Sequence, residues 1–137
     1  MLPEFQAYCR LVAGLPDRYP VIRSSTLAAY TIGPLIAEIV GEVTFADDYV
    51  LHVWELLDLS KQVISSYSYE LDQAGERIWW YDPMDHPHDP TLRSTAPHHK
   101  HVAPDIKHHR VPAPEISFTR PNLPILVEQI EQYLKPG

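Results

Sequence analysis

Apolar and polar positions alternate every second residue through the middle of the chain and recur at helical spacing only near its two ends. Phe5, Tyr8, Cys9 and Val12 lie on one helical stripe, which predicts a helix over 3–14 that Gly14 stops. Gly14-Leu15-Pro16 and Tyr19-Pro20 predict a loop, and the β-branched stretch Val21 to Ile32 a first extended segment, ended by Gly33-Pro34. Leu35 to Phe45 then sets Ile39, Val43 and Phe45 against Glu38 and Glu42. Asp47-Asp48 turns the chain into Tyr49 to Leu59. Gln62 to Leu71 follows, and Gln73-Ala74-Gly75 closes a hairpin into Arg77 to Asp82. Connections this short join neighbouring antiparallel strands.

Beyond Asp82 the periodicity stops. Nine of the 14 prolines fall between Pro83 and Pro124, and seven of the eight histidines between His86 and His109. Proline lacks an N–H and fixes its φ, so 83–121 is expected to be a long Pro/His-rich loop, with one edge strand near Ile106 to Val111. Leu126, Ile130 and Leu134 restore helical spacing and predict a helix over 122–135, with Asn122 as N-cap and Pro124 in its first turn. The expected class is therefore α+β. One domain over 1–137 would hold an antiparallel meander of four to five strands, a helix at each end and the Pro/His-rich loop.

With 45% apolar and 21% charged residues the chain is globular rather than disordered. Its apolar runs are too short to span a membrane, its N-terminus lacks a secretory pattern, and Cys9 is its one cysteine, so the cytosol is the expected compartment. The net charge of -7 is unevenly placed. Glu38 to Asp89 is strongly acidic, while Arg93, Lys100, Lys107 and Arg110 face only Asp105 between Thr91 and Arg110. General coating of nucleic acid is excluded, but a local basic site is not.

The densest chemistry is Pro97-His98-His99-Lys100-His101. Imidazole is both base and acid near neutral pH, so His98, His99 and His101 could divide the proton transfers of RNA cleavage while Lys100 offsets phosphorane charge. Asp85-His86-Pro87-His88-Asp89 is a second cluster. An H-x-H pair in extended backbone points both rings one way, which makes His86 and His88 candidate ligands of a divalent metal. Glu55 sits in an otherwise apolar row with Tyr49, Leu51, Val53, Leu57 and Leu59, so it must be paired, hydrogen-bonded or protonated. It is read either as a partner orienting an imidazole, a role Asp82 shares, or as one half of an ion pair with Arg77. His52, on the opposite face, reads as a packed, hydrogen-bonded histidine. Tyr67, Tyr69, Trp79, Trp80 and Tyr81 form an aromatic concentration of which at least three are expected in the core. No phosphate-cradling, dinucleotide or nucleophile-elbow motif is present.

Phe45-Ala46-Asp47 before the Glu55 strand, Tyr67-Ser68-Tyr69, the aromatic-Tyr81-Asp82 strand end, a His/Pro loop, the PHHKH run and a short terminal helix resemble the TumE toxin family over about Phe45 to Leu134. The chain departs from that pattern in carrying Glu70 where the family usually has a histidine, and in the register of Pro83 to His88. The resemblance implies the toxin half of a bacterial type II toxin–antitoxin pair, neutralised by an antitoxin of the helix-turn-helix, DNA-binding kind. The residues themselves add a ribonuclease that uses histidine acid–base chemistry and needs no cofactor, with RNA as substrate. Two other readings stand beside it: a metal-dependent nuclease or hydrolase with a His/Asp site, and a non-enzymatic protein that binds through the His/Pro loop. Unpaired sheet edges leave room for a homodimer.

Overall fold

The period-two segments assemble into one antiparallel sheet. The computed structural model describes residues 1–83 and 96–134. Its strands are β1 (Ser24–Ser25), β2 (Ala28–Thr31), β3 (Ile36–Thr44), β4 (Tyr49–Asp58), β5 (Val63–Gln73), β6 (Glu76–Asp82), β7 (His99–Val102) and β8 (Arg110–Pro112). The helices are α1 (Phe5–Ala13), α2 (Leu15–Arg18) and α3 (Leu123–Leu134). Strand order is β1-β3-β4-β5-β6-β7-β8, with β2 also paired to β3. None of the helices among the described residues is long and apolar enough to cross a membrane.

The class is α+β, but among the described residues the sheet has eight strands rather than four to five. One extended segment was expected over Val21 to Ile32, and it divides into β1 and β2. The larger departure lies in the expected loop over 83–121, where 99–102 and 110–112 are strands and β7 sits between β6 and β8. Pro97 and Pro104, each after a cis peptide bond, flank β7 instead of interrupting it, so no ladder N–H is lost within it. The edge strand expected near Ile106 to Val111 is β8, at Arg110–Pro112. Residues 84–95 of that loop lie outside the described residues. Leu15–Arg18, expected as loop, closes a short helix with Pro16 in its first turn, where an N–H is not required.

Alternation gives the sheet two faces. One presents Ile39, Val43, Leu51, Val53, Leu57, Tyr67, Tyr69, Leu71, Trp79 and Tyr81, all buried in one cluster with Tyr8 and Val12 of α1 and Leu126, Val127 and Ile130 of α3. The Trp79 indole N–H donates to the Tyr133 hydroxyl at 3.0 Å, which ties α3 to this face. Asn122 stands at the N-cap position of α3, its carbonyl accepting from the Leu126 N–H at 3.1 Å. Its Oδ1 accepts from the Ser117 N–H at 3.0 Å, and its Nδ2 donates to the Tyr69 hydroxyl at 3.0 Å. The other face carries Glu38, Val40, Glu42, His52, Trp54 and Glu70, and it continues onto β6 and β7.

Gly41 has φ +148°, and a Cβ there would stand 2.6 Å from the Thr26 carbonyl oxygen and 2.9 Å from Leu27 Cα. The absence of a side chain lets the link between β1 and β2 cross close to β3. Gly41→Ala is expected to lower stability by about 1–3 kcal/mol, seen as a lower urea midpoint at an unchanged m-value.

Candidate functional site

Because β7 is a strand, its side chains alternate, and the PHHKH run is divided between the two faces of the sheet. His99 pairs with Asp82 and His101 with Trp80 across β6, so these four share the face away from the helices. Lys100 pairs with Tyr81 and belongs to the helix-packed face.

The tightest arrangement is that of Asp82, His99 and His101. Asp82 Oδ1 lies 2.6 Å from His99 Nε2 and 3.5 Å from His101 Nε2, and the two Nε2 atoms are 3.1 Å apart. His99 and His101 are 1% and 4% exposed and Asp82 Oδ1 is buried, while the Asp82 side chain as a whole is 26% exposed. His99 Nδ1 is 3.2 Å from the Pro97 carbonyl oxygen. The Trp80 indole N–H donates to Asp82 Oδ2 at 3.1 Å, and its ring stacks on His101 at 3.9 Å between centroids. Burial pushes the Asp82 carboxyl up, but close contact with His99 and Trp80 and the charges of both imidazoles outweigh it and hold the group at about 2. Burial lowers the His101 pKa against the pull of the Asp82 carboxylate, which favours the neutral ring.

The remaining sequence candidates are placed elsewhere. His98 Nδ1 meets the Tyr67 hydroxyl at 2.6 Å, and its ring packs against Phe118 at 4.5 Å. Lys100 Nζ sits 5.1 Å above the Trp79 ring and 5.3 Å above that of Tyr81, and burial lowers its pKa while Glu115 opposes the shift. Glu55 is fully buried among tyrosines, with one carboxylate oxygen accepting from Tyr8 and the other from Tyr69, each at 2.5 Å. Arg77, the alternative partner for Glu55, instead pairs with Glu70 and Asp72. His52 contacts Asp72 at 3.0 Å and Glu42 at 3.3 Å, which makes it the hydrogen-bonded histidine its pattern predicts. His86 and His88 lie outside the described residues.

The family model described as Toxin TumE matches residues 12–134. The chain belongs to the TumE toxin family. No curated protein and no solved structure matches it. Membership carries a toxin role and implies an antitoxin partner.

In this TumE chain two further side chains share the cluster's face, although the sequence placed one only in an aromatic group and the other only in a basic block. Trp80 is one: of the five concentrated aromatics, Tyr67, Tyr69, Trp79 and Tyr81 are in the core, and Trp80 lies on the face of His99 and His101. Arg110 is the other, paired with His101 across β8, and its Nε is buried with no hydrogen-bond partner. The strand alternation that separates Trp80 from its neighbours was legible once β6 was assigned. Arg110 was not, since its place depends on β8 folding back beside β7.

Proposed function

We propose that this toxin cleaves RNA and that its chemistry runs at Asp82, His99 and His101. The observation that supports this reading is the convergence of three proton-carrying or proton-accepting atoms within 3.5 Å, on the face where Asp82 remains partly open. In the reaction, the proton of a 2′-hydroxyl passes to the cluster. The O2′–P bond forms, the P–O5′ bond breaks, and a proton is returned to the departing 5′-oxygen. The products are a 2′,3′-cyclic phosphate and a 5′-hydroxyl. Arg110, the cross-strand partner of His101, is the residue we assign to the phosphate, as a local positive charge in an otherwise acidic chain.

His98, Lys100 and Glu55 are assigned no step, because the sheet separates them from the cluster or tyrosines enclose them. The antitoxin that silences the toxin is proposed to be basic, matching the acidic surface of Glu38, Glu42, Asp47 and Asp48.

The test is incubation of the purified chain with end-labelled RNA beside a His99→Ala/His101→Ala double variant and His98→Ala. Cleavage is expected from the wild type and His98→Ala, and none from the double variant. A wild-type chain that arrests growth on expression but leaves RNA intact would overturn the ribonuclease and leave a toxin that acts by binding.

A further inference from the structure

We propose that Asp82, His99 and His101 form a binding site for one divalent transition-metal ion of the zinc or manganese class. This deepens the reading above by naming the cofactor of the same site.

The argument begins with the protons. The Pro97 carbonyl can only accept, so the contact at 3.2 Å places a proton on His99 Nδ1. His99 Nε2, on the far side of the ring, faces a carboxylate oxygen at 2.6 Å and a second imidazole nitrogen at 3.1 Å. A carboxylate oxygen and two imidazole nitrogens this close share a cation, either a proton on Nε2 or a metal ion. Asp82 Oδ1, for all its proximity to His99, accepts no aligned hydrogen bond among the described residues. The three atoms lie within 3.5 Å of one another and can face one common centre.

Their spacing fits the same conclusion. Ligand atoms held about 2.0–2.2 Å from a tetrahedral ion stand roughly 3.3–3.6 Å from one another, and somewhat closer around an octahedral one. The separations here are 2.6, 3.1 and 3.5 Å, so the two contacts of His101 already fit, and the Asp82–His99 contact would open by roughly 0.7–1.0 Å around a tetrahedral ion and by less around an octahedral one. Two imidazoles and one carboxylate are the donor set of zinc, manganese or iron sites that keep positions open. The strand enforces that set, because His99 and His101 are two residues apart and Asp82 is the cross-strand partner of His99. Outer contacts are also in place. The Pro97 carbonyl orients His99, and the Trp80 indole N–H, 3.1 Å from Asp82 Oδ2, holds the carboxylate. The same three distances disfavour a metal-free division of labour between the histidines, since rings 3.1 Å apart at Nε2 leave no room for a phosphate between them. An ion at the centre would offer its bound water as the proton acceptor instead.

The experiment uses the full chain without a histidine tag, stripped with chelator and dialysed, and titrated with zinc by calorimetry and with cobalt by visible absorption. One equivalent is expected to bind, with cobalt quenching the fluorescence of Trp80, whose ring lies on His101. Asp82→Asn and His99→Ala should weaken binding at least 100-fold, while His98→Ala and His52→Ala should leave it unchanged. Circular dichroism confirms that each variant is folded, and the nearly isosteric Asp82→Asn keeps the test valid if His99→Ala is not. Failure to bind, or equal binding by Asp82→Asn and wild type, would overturn the site. RNA cleavage is measured in parallel with EDTA. Metal bound without cleavage would sink the ribonuclease and keep the site. Cleavage that persists in EDTA, with no metal bound, would do the reverse.

Discussion

Asp82→Asn is expected to lower the rate of RNA cleavage by roughly 10²–10⁴-fold, the range lost when one proton-transfer partner is disabled, while the fold survives. Asp82 is the hub of the cluster, in contact with His99, His101 and the Trp80 indole. Asparagine keeps the volume and an acceptor for Trp80 but removes the charge that faces both rings. Because its carboxyl is held at about 2, Asp82 is ionised throughout the working range of pH. The sign for stability follows. A carboxyl depressed from 3.8 contributes stability that is full above its unfolded pKa and lost as pH falls through about 2. Asp82→Asn should therefore remove part of the acid sensitivity between about pH 4 and pH 2 and leave the neutral-pH melting curve cooperative. Single-turnover cleavage with thermal melts of the same sample checks both halves. A folded Asp82→Asn protein that cleaves at the wild-type rate would remove Asp82 from the site.

The second large effect is structural. Glu55→Leu is expected to cost about 2–5 kcal/mol, because it leaves two buried hydroxyl donors without an acceptor. Those donors are Tyr8 on α1 and Tyr69 on β5, so the carboxylate joins the N-terminal helix to the middle of the sheet. Glu55→Gln keeps one acceptor and nearly the same volume, and it should cost less. The two variants also differ in their pH dependence. Burial raises the Glu55 pKa, and the tyrosine hydrogen bonds only partly oppose the shift. In the interval between the unfolded and the folded pKa the native state binds more protons than the unfolded chain, so stability falls as pH rises through it. Urea unfolding across pH should show this fall in the wild type and a flatter curve in Glu55→Gln. The same variant tests the other role considered for Glu55. RNA cleavage is expected to persist in Glu55→Gln, and its loss from a folded protein would return the carboxylate to the chemistry.

Much of this was legible in the sequence because the sheet's central segments are amphipathic at period two. From Leu35 to Asp82 the side chains that alternate in sequence are those that alternate in burial, and the Gln73-Ala74-Gly75 hairpin is found where a turn between β5 and β6 was read. The isolated carboxylate in the Tyr49 to Leu59 row announced a buried group that needed partners, and Glu55 has them. What could not be read was the partners' identity, since Tyr8 is 47 residues from Glu55 along the chain. The prolines misled for a definable reason. Their density argued against strands over 83–121, yet proline excludes a ladder position only where it stands, and His99 to Val102 contains none.

By itself the sequence determined the α+β class, the order of the central strands, the helical stripes at both ends and the concentration of imidazoles beside Lys100. The tertiary structure decided which of those imidazoles act together. Pairing of β7 with β6 sets Asp82 opposite His99, and the two-residue pleat then sends His99 and His101 to one face and Lys100 to the other. A side chain's composition is local, but the face it occupies depends on the strand register, and contacts distant in sequence fix that register.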